Sequence, residues 1–154
     1  MDILRDALAR NAKPDLKALA AALPYARWLG VEAEMRGSEL TTILRYSPEL
    51  IGNPVLPALH GGVLGAFLEI TAILQVAFDA PSGELPKPVD INIDYLRSAR
   101  PVDTYGRAWI TKLGRRVVNV HAEAWQDHHE KPVTTLRGHF LLTAPENGKV
   151  TASS

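Results

Sequence analysis

At 154 residues the chain has the size of one domain and can bury roughly two-thirds of its unfolded surface in a single conventional core. Seventeen Lys and Arg balance seventeen Asp and Glu, so no overall basic field exists to collect nucleic acid or an anionic membrane, and partners must be argued locally. Cysteine is absent, which excludes a disulfide framework, thiolate metal ligands and a thiol nucleophile.

The first thirty residues carry acids and bases throughout and lack the basic start and unbroken apolar stretch of a secretory signal, so a cytoplasmic location is expected. Ile3, Leu4, Ala7 and Leu8 recur at helical spacing, and after Lys13, Pro14 and Asp15 so do Leu16, Leu19, Ala20 and Leu23. Two short amphipathic helices are predicted, with Pro24 closing the second. From Trp28 onward "WLGVEAEMR" and "ELTTILRYS" predict two strands joined by a hairpin turn at Gly37 and Ser38. "PELIGNPVLPA" reads as a loop ending at His60, because Pro48, Pro54 and Pro57 cannot continue a strand ladder.

The run 63–78 is apolar except for Glu69, Thr71 and Gln75. It is shorter than the roughly 20 residues that span a bilayer, and a carboxylate near its midpoint adds about 2.5 kcal/mol or more to insertion. It predicts a core helix. "DAPSGELPKP" is a second loop, and nearly everything from there to Leu142 is strand. Val89, Ile91, Ile93 and Tyr95 alternate with Asp90, Asn92 and Asp94, the period of a sheet with one buried face. "TYGRAWITKL" and "VVNVHAEAW" flank a turn at Gly114, Arg115 and Arg116, with Val118, Val120, Ala122 and Ala124 on one face; "VTTLRGHFLL" follows the turn "QDHHEKP". The last residues, 144–154, have too few apolar side chains to pack and are expected to fray.

Two helices, two strands, one long helix and four strands in meander order imply an α+β domain whose sheet covers the helix. A helix of about 18 residues, roughly 27 Å long and apolar on nearly all sides, needs burial all round. One sheet of this size covers one side, and a second copy of the chain is the simplest cover for the other.

Two features of the long helix point to chemistry. His60, Gly61 and Gly62 stand at its start, where backbone N–H groups lack intrahelical acceptors and the peptide dipoles favour negative charge. Such an end can bind a carbonyl oxygen turning into an oxyanion; equally, the glycines can simply turn the chain and permit close packing, and the histidine can be a capping or core residue. Glu69 has only small or apolar helical neighbours, Gly65, Ala66, Ala72 and Ile73. Burial raises a carboxyl pKa, as a general base or nucleophile near neutral pH requires; the alternative is a solvated or arginine-paired glutamate at a gap in the sheet. Eight helical residues, about 12 Å, separate Gly61 from Glu69, too far to meet at one carbonyl. They can cooperate only between antiparallel helices, as in a twofold dimer where Gly61 of each chain faces Glu69 of the other.

The stretch "NPVLPALHGGVLGAFLE", with Asn53, His60, Gly61, Gly62 and Glu69, followed by "INIDYLRSARP" and "KLGRRVVNVHAEAW", resembles the hotdog-fold acyl-CoA thioesterases of the phenylacetate-degradation (PaaI-like) type. The resemblance covers about residues 26–143, leaving 1–25 as an N-terminal helical extension and 144–154 as a flexible tail. It implies an α+β hotdog fold, a six-stranded antiparallel sheet wrapped around a long central helix, in homodimers or homotetramers with composite sites at the dimer interface. It makes the Gly61 N–H the donor to a thioester carbonyl, with Asn53 and His60 lining or bracing the pocket and Gly62 beside the substrate. Glu69 of the partner subunit becomes base or nucleophile. Two departures stand out: many members have Asp at the position of Glu69, and some place Ser or Thr where this chain has Ile73.

Arg97, Arg100, Arg115 and Arg116 are candidates for the phosphates of coenzyme A, since guanidinium forks match phosphate oxygens. "DHHE" at 127–130 lacks the spacing of metal sites and reads as a solvated turn. The expected activity is hydrolysis of an acyl-CoA thioester without metal or redox cofactor, with neither nucleic acid nor membrane as partner. The other readings are a hotdog enoyl-thioester hydratase and a non-catalytic acyl-CoA-binding module.

Overall fold

The computed structural model describes residues 14–80 and 84–142; the helix predicted around Ile3 to Leu8 and the tail at 144–154 lie outside these residues. Helix α1 (Leu16–Ala22) begins where the start signal places it, with Asp15 Oδ1 accepting from the N–H groups of Lys17 and Ala18. Pro24 does more than close that helix. It stands at the first position of a further helix, α2 (Pro24–Leu29), where its missing N–H is no loss and its fixed φ suits the first turn. Trp28 is therefore helical, not the start of a strand, and Gly30, at φ 79°, ends α2 in the left-handed conformation.

Strands β1 (Val31–Arg36) and β2 (Glu39–Leu44) form the predicted hairpin, in register from Val31↔Leu44 to Arg36↔Glu39. The proline-rich segment that follows is more ordered than the loop expected of it. A 3-10 turn (Pro48–Leu50) leads into β3 (Ile51–Asn53) and β4 (Ala58–Leu59), which pair as a small sheet of their own. Pro48 opens the 3-10 turn and Pro54 and Pro57 fall in the connection, so none of them is asked to donate to a ladder.

The long helix, α3 (Gly61–Asp79), has 19 residues. It lies on an antiparallel sheet that also contains β5 (Lys87–Tyr95), β6 (Thr104–Leu113), β7 (Val117–Trp125) and β8 (Thr134–Leu141), in the order β1-β2-β6-β7-β8-β5. The last four strands are thus not a plain meander: β6, β7 and β8 are consecutive, whereas β5 pairs with β8 at the edge, from Lys87↔Leu141 to Tyr95↔Thr134. The connection from β5 to β6 spans residues 96–103 and includes Pro101, too long and too irregular for a tight hairpin. It leaves β2 and β6 to pair through Thr42↔Gly106 and Leu44↔Thr104.

Phe67, Leu68, Leu74 and Val76 of α3 are fully buried, against the predicted inner face of β7 (Val118, Val120, Ala122, Ala124) and Leu136 and Phe140 of β8. The hydroxyls of Thr42 and Thr71, also fully buried, share a hydrogen bond of 2.7 Å between sheet and helix. By length and composition α3 is apolar enough to cross a membrane, yet 61 % of its most apolar window is buried inside the domain. On β5 the predicted buried face is incomplete. Ile91 and Ile93 are half-buried, but Val89 and Tyr95 are 61 % and 56 % exposed, because among the described residues no strand flanks the outer side of this edge strand.

Sheet and helix pack tightly at Gly106, where an added Cβ would lie 2.6 Å from Thr42 Oγ1 of β2 and 2.9 Å from Phe67 Cζ of α3. Gly106→Ala should therefore lower stability by about 1–3 kcal/mol, read as a lower urea midpoint with an unchanged m-value. An unchanged midpoint would mean that this contact is loose.

Candidate active site

The start of α3 is built by three neighbouring peptides. His60 is the N-cap, its Nδ1 accepting from the N–H of Gly62 at 2.9 Å, and its carbonyl accepts from Val63 and Leu64 at 3.0 and 3.2 Å. The N–H of Gly61, between these bonds, has no acceptor among the described residues. Capping histidine and free donor are therefore both present, not alternatives. The Gly61 carbonyl accepts the hydroxyl of Tyr95 at 2.8 Å.

Close packing accounts for the glycines at the same time. A Cβ on Gly61 would lie 3.1 Å from Tyr95 Cε1, one on Gly62 2.9 Å from His60 Cε1, and one on Gly65 2.7 Å from Ile93 Cδ1. Gly52 of β3 is packed against the other side of the histidine, where a Cβ would fall 2.6 Å from His60 Cα, and the His60 N–H donates to the Leu50 carbonyl at 2.8 Å. Neither Gly52 nor the Tyr95 hydroxyl stands out in the sequence; the only signal is their position, one before Asn53 and one at the end of an alternating strand. Around Gly61 opens a cleft of ≈ 350 Å³, lined among others by Leu59, Leu64, Tyr95 and Arg97.

Glu69 lies two turns along α3, half-buried on a stripe with Gly62, Ala66 and Ile73. Among the described residues its carboxylate has neither a hydrogen-bond nor an ion-pair partner, and burial raises its pKa above the ordinary carboxylate range. The arginine-paired alternative thus finds no arginine. Eight residues still separate it from Gly61 on the same helix, so one chain does not bring the two together.

The remaining candidates are dispersed. Asn53 is exposed and its Oδ1 accepts from the N–H groups of Val55 and Leu56 at 3.0 and 3.3 Å, closing the β3–β4 connection as an Asx turn. Arg97 lines the cleft. Arg100 is engaged elsewhere, its guanidinium pairing with Asp127 at 2.6 Å, which takes up the first acid of "DHHE". Arg115 and Arg116 sit exposed at the β6–β7 turn. Tyr95 pairs with Thr134, whereas Lys87 and Val117 both pair with Leu141, so that turn lies at the far end of the sheet, about 27 Å of strand from Gly61. A larger cleft of ≈ 590 Å³ is lined by residues of α1, α2 and β1, among them Lys17, Arg27 and Glu32, and by none of the candidates.

A long helix laid on a sheet of this order is the hotdog architecture, and residues 56–133 match the family model of the thioesterase superfamily. The chain belongs to the thioesterase superfamily. A solved protein from Chromobacterium violaceum is 37 % identical, covers 95 % of this chain and 100 % of its own, and superposes with a TM-score of 0.72. A phenylacetic acid degradation-related protein from Ralstonia eutropha is 27 % identical over 82 % of this chain and 96 % of its own, with a TM-score of 0.72. A Bacillus halodurans protein solved with CoA shares the fold at 23 % identity, over 65 % of this chain and 68 % of its own, with a TM-score of 0.58. No curated protein matches the chain.

The raised pKa of Glu69 has a signed consequence. The folded chain holds the Glu69 proton more tightly than the unfolded chain, so stability falls as pH climbs from the ordinary carboxylate pKa through the raised one. Glu69→Gln removes that loss. The variant should melt at a higher temperature than wild type at neutral pH, with the gap closing as the pH drops below the carboxylate range; a less stable variant at neutral pH would show that the charge is favourably held.

Proposed function

We propose that the protein hydrolyses acyl-CoA thioesters at two composite sites in a homodimer, each combining the helix start of one chain with Glu69 of the partner subunit. The observation that carries this reading is the pairing of an unused Gly61 N–H with a half-buried, partnerless carboxylate on the same helix. Each is half of a thioester hydrolase, and they lie too far apart to serve one another within a chain. Coenzyme A as the thiol is supported by the fold, which accommodates CoA in the Bacillus halodurans protein. Two uncovered surfaces favour the dimer: the stripe of Gly62, Ala66 and Ile73 around Glu69, and the edge strand β5, whose outer side has no neighbouring strand among the described residues. A twofold pairing along β5 runs the strands antiparallel and brings the far end of one sheet toward the near end of the other. Arg115 and Arg116 of one chain then approach the site at Gly61 of its mate, beside Arg97. Two such dimers can join as a tetramer.

The thioester carbonyl oxygen accepts from the Gly61 N–H at the positive end of α3, which stabilises the charge that grows as the carbonyl carbon becomes tetrahedral. Glu69 takes a proton from water as the water oxygen adds to that carbon. The carbon–sulfur bond then breaks, and the proton passes to the departing thiolate, leaving free acid and CoA. If Glu69 itself adds first, the product is a mixed anhydride that water opens, with the same balance. No electron is transferred in either route, so the chemistry calls for no redox cofactor, and none of the steps requires a metal. Ile73 offers no hydroxyl to hold the water, so another residue must hold it.

The test is thiol release from a panel of aryl, short, medium and long acyl-CoAs. Glu69→Gln should lower kcat by about 10²- to 10⁴-fold, the span of general-base catalysis, and Gly61→Ala should also be severely impaired. Mixing the two inactive variants should restore activity, because half of randomly paired dimers then hold one intact site of two, about a quarter of the wild-type rate. Mixed dimers that form normally yet stay inactive would refute the composite site, and a wild type that releases no thiol from any substrate would refute the hydrolase.

A further inference from the structure

The hydroxyl of Tyr95 makes a single hydrogen bond among the described residues, and it makes it to the peptide beside the unused donor. It donates to the Gly61 carbonyl at 2.8 Å, while the N–H at the other end of the same peptide, that of Gly62, donates to His60 Nδ1 at 2.9 Å. The Gly61–Gly62 peptide is thus clamped at both ends by side chains, in addition to the intrahelical bond due at that carbonyl. On the other side of the Gly61 Cα, the His60–Gly61 peptide is held through its carbonyl by the N–H groups of Val63 and Leu64. With both flanking peptides fixed, neither φ nor ψ of Gly61 can drift, and the direction of its free N–H is set. That restraint matters here because glycine has the widest conformational freedom of any residue, and a donor contributes to a developing oxyanion only if it is already aimed.

The backbone that carries the phenol is firmly placed. Tyr95 ends β5 opposite Thr134, and the next two N–H groups, of Leu96 and Arg97, both donate to the Val133 carbonyl, at 2.9 and 3.3 Å. Its ring lies 3.1 Å from where a Gly61 Cβ would be and lines the cleft with Arg97. The ring and the missing Cβ are one fit: the glycine is what lets the hydroxyl reach the carbonyl.

We infer that Tyr95 is a positioning residue, whose hydroxyl aims the Gly61 N–H at the substrate carbonyl from the end of the edge strand. The inference rests on the hydrolase reading for its activity readout and on carbonyl binding alone for its second readout. Tyr95→Phe keeps the ring over Gly61 and deletes only the clamp. It should lower kcat about five- to thirtyfold, less than the loss of an oxyanion donor itself, with KM within about twofold of wild type.

Two CoA analogues separate aim from bulk structure. One is a ketone with CH₂ in place of the sulfur; the other is a thioether without the carbonyl. Both carry the acyl chain hydrolysed fastest, or a hexanoyl-length chain if none is hydrolysed. Tyr95→Phe should weaken ketone binding by a factor similar to the kcat loss and leave thioether binding unchanged. If wild type is active and Tyr95→Phe retains its kcat and its ketone-over-thioether preference, the positioning role is overturned while hydrolysis stands. If wild type hydrolyses nothing but the variant still loses ketone preference, the positioning role stands and the hydrolase falls. Equal weakening of both analogues, or no ketone preference in wild type, overturns the positioning role.

Discussion

The structure depends on enclosing one helix. α3 buries eleven of its 19 residues, and no single surface can shield a cylinder that is apolar on almost every side. The sheet does what it can. Small inner residues, Ala122 and Ala124 on β7 and Gly106 and Ala108 on β6, let the helix settle close, and β5 crosses beyond β8 to widen the floor beneath it. What is left over is a narrow stripe of Gly62, Ala66 and Ile73 interrupted by Glu69, and an edge strand with exposed apolar side chains.

That incomplete enclosure is where packing and chemistry coincide. The helix start must turn sharply out of the β4 ladder and leave room for the His60 ring, the Tyr95 ring and the Ile93 side chain, so glycine occupies positions 61, 62 and 65. The same absence of side chains bares the one N–H of the first turn that the capping histidine does not use. A carboxylate that would be a fault in a sealed core is tolerable on the uncovered stripe, where it is half-buried and its proton is held more tightly than in water.

The expectations that held were those set by local periodicity and local chemistry. Val118, Val120, Ala122 and Ala124 alternate because one face of β7 meets α3, and Asp15 caps α1 because a short acceptor before an apolar repeat satisfies its first N–H groups. Proline marks a start as well as an end: Pro24 and Pro48 each open an element, since the first turn of a helix has no use for the missing N–H. The meander expected of the last four strands failed at β5, whose alternating pattern records that it is a strand but not beside which neighbour it lies.

The same division runs through the site. Glu69 and the His60, Gly61, Gly62 start were conspicuous in the chain because each breaks a local rule, a carboxylate among apolar residues and glycines in a helix. Tyr95 and Gly52 break none, and only the folded chain, which packs residues 34 and 8 positions away against the helix start, shows what they touch. Arg100, a candidate for the phosphates, proves to be the ion-pair partner of Asp127, and Arg115 and Arg116 lie an entire strand length from Gly61. Local sequence settles which residues prefer a helix, a strand or a cap, because those preferences act over a few bonds. Which residues meet is settled by the packing of α3 on its sheet, because contacts between distant segments exist only once the chain has closed around a common core.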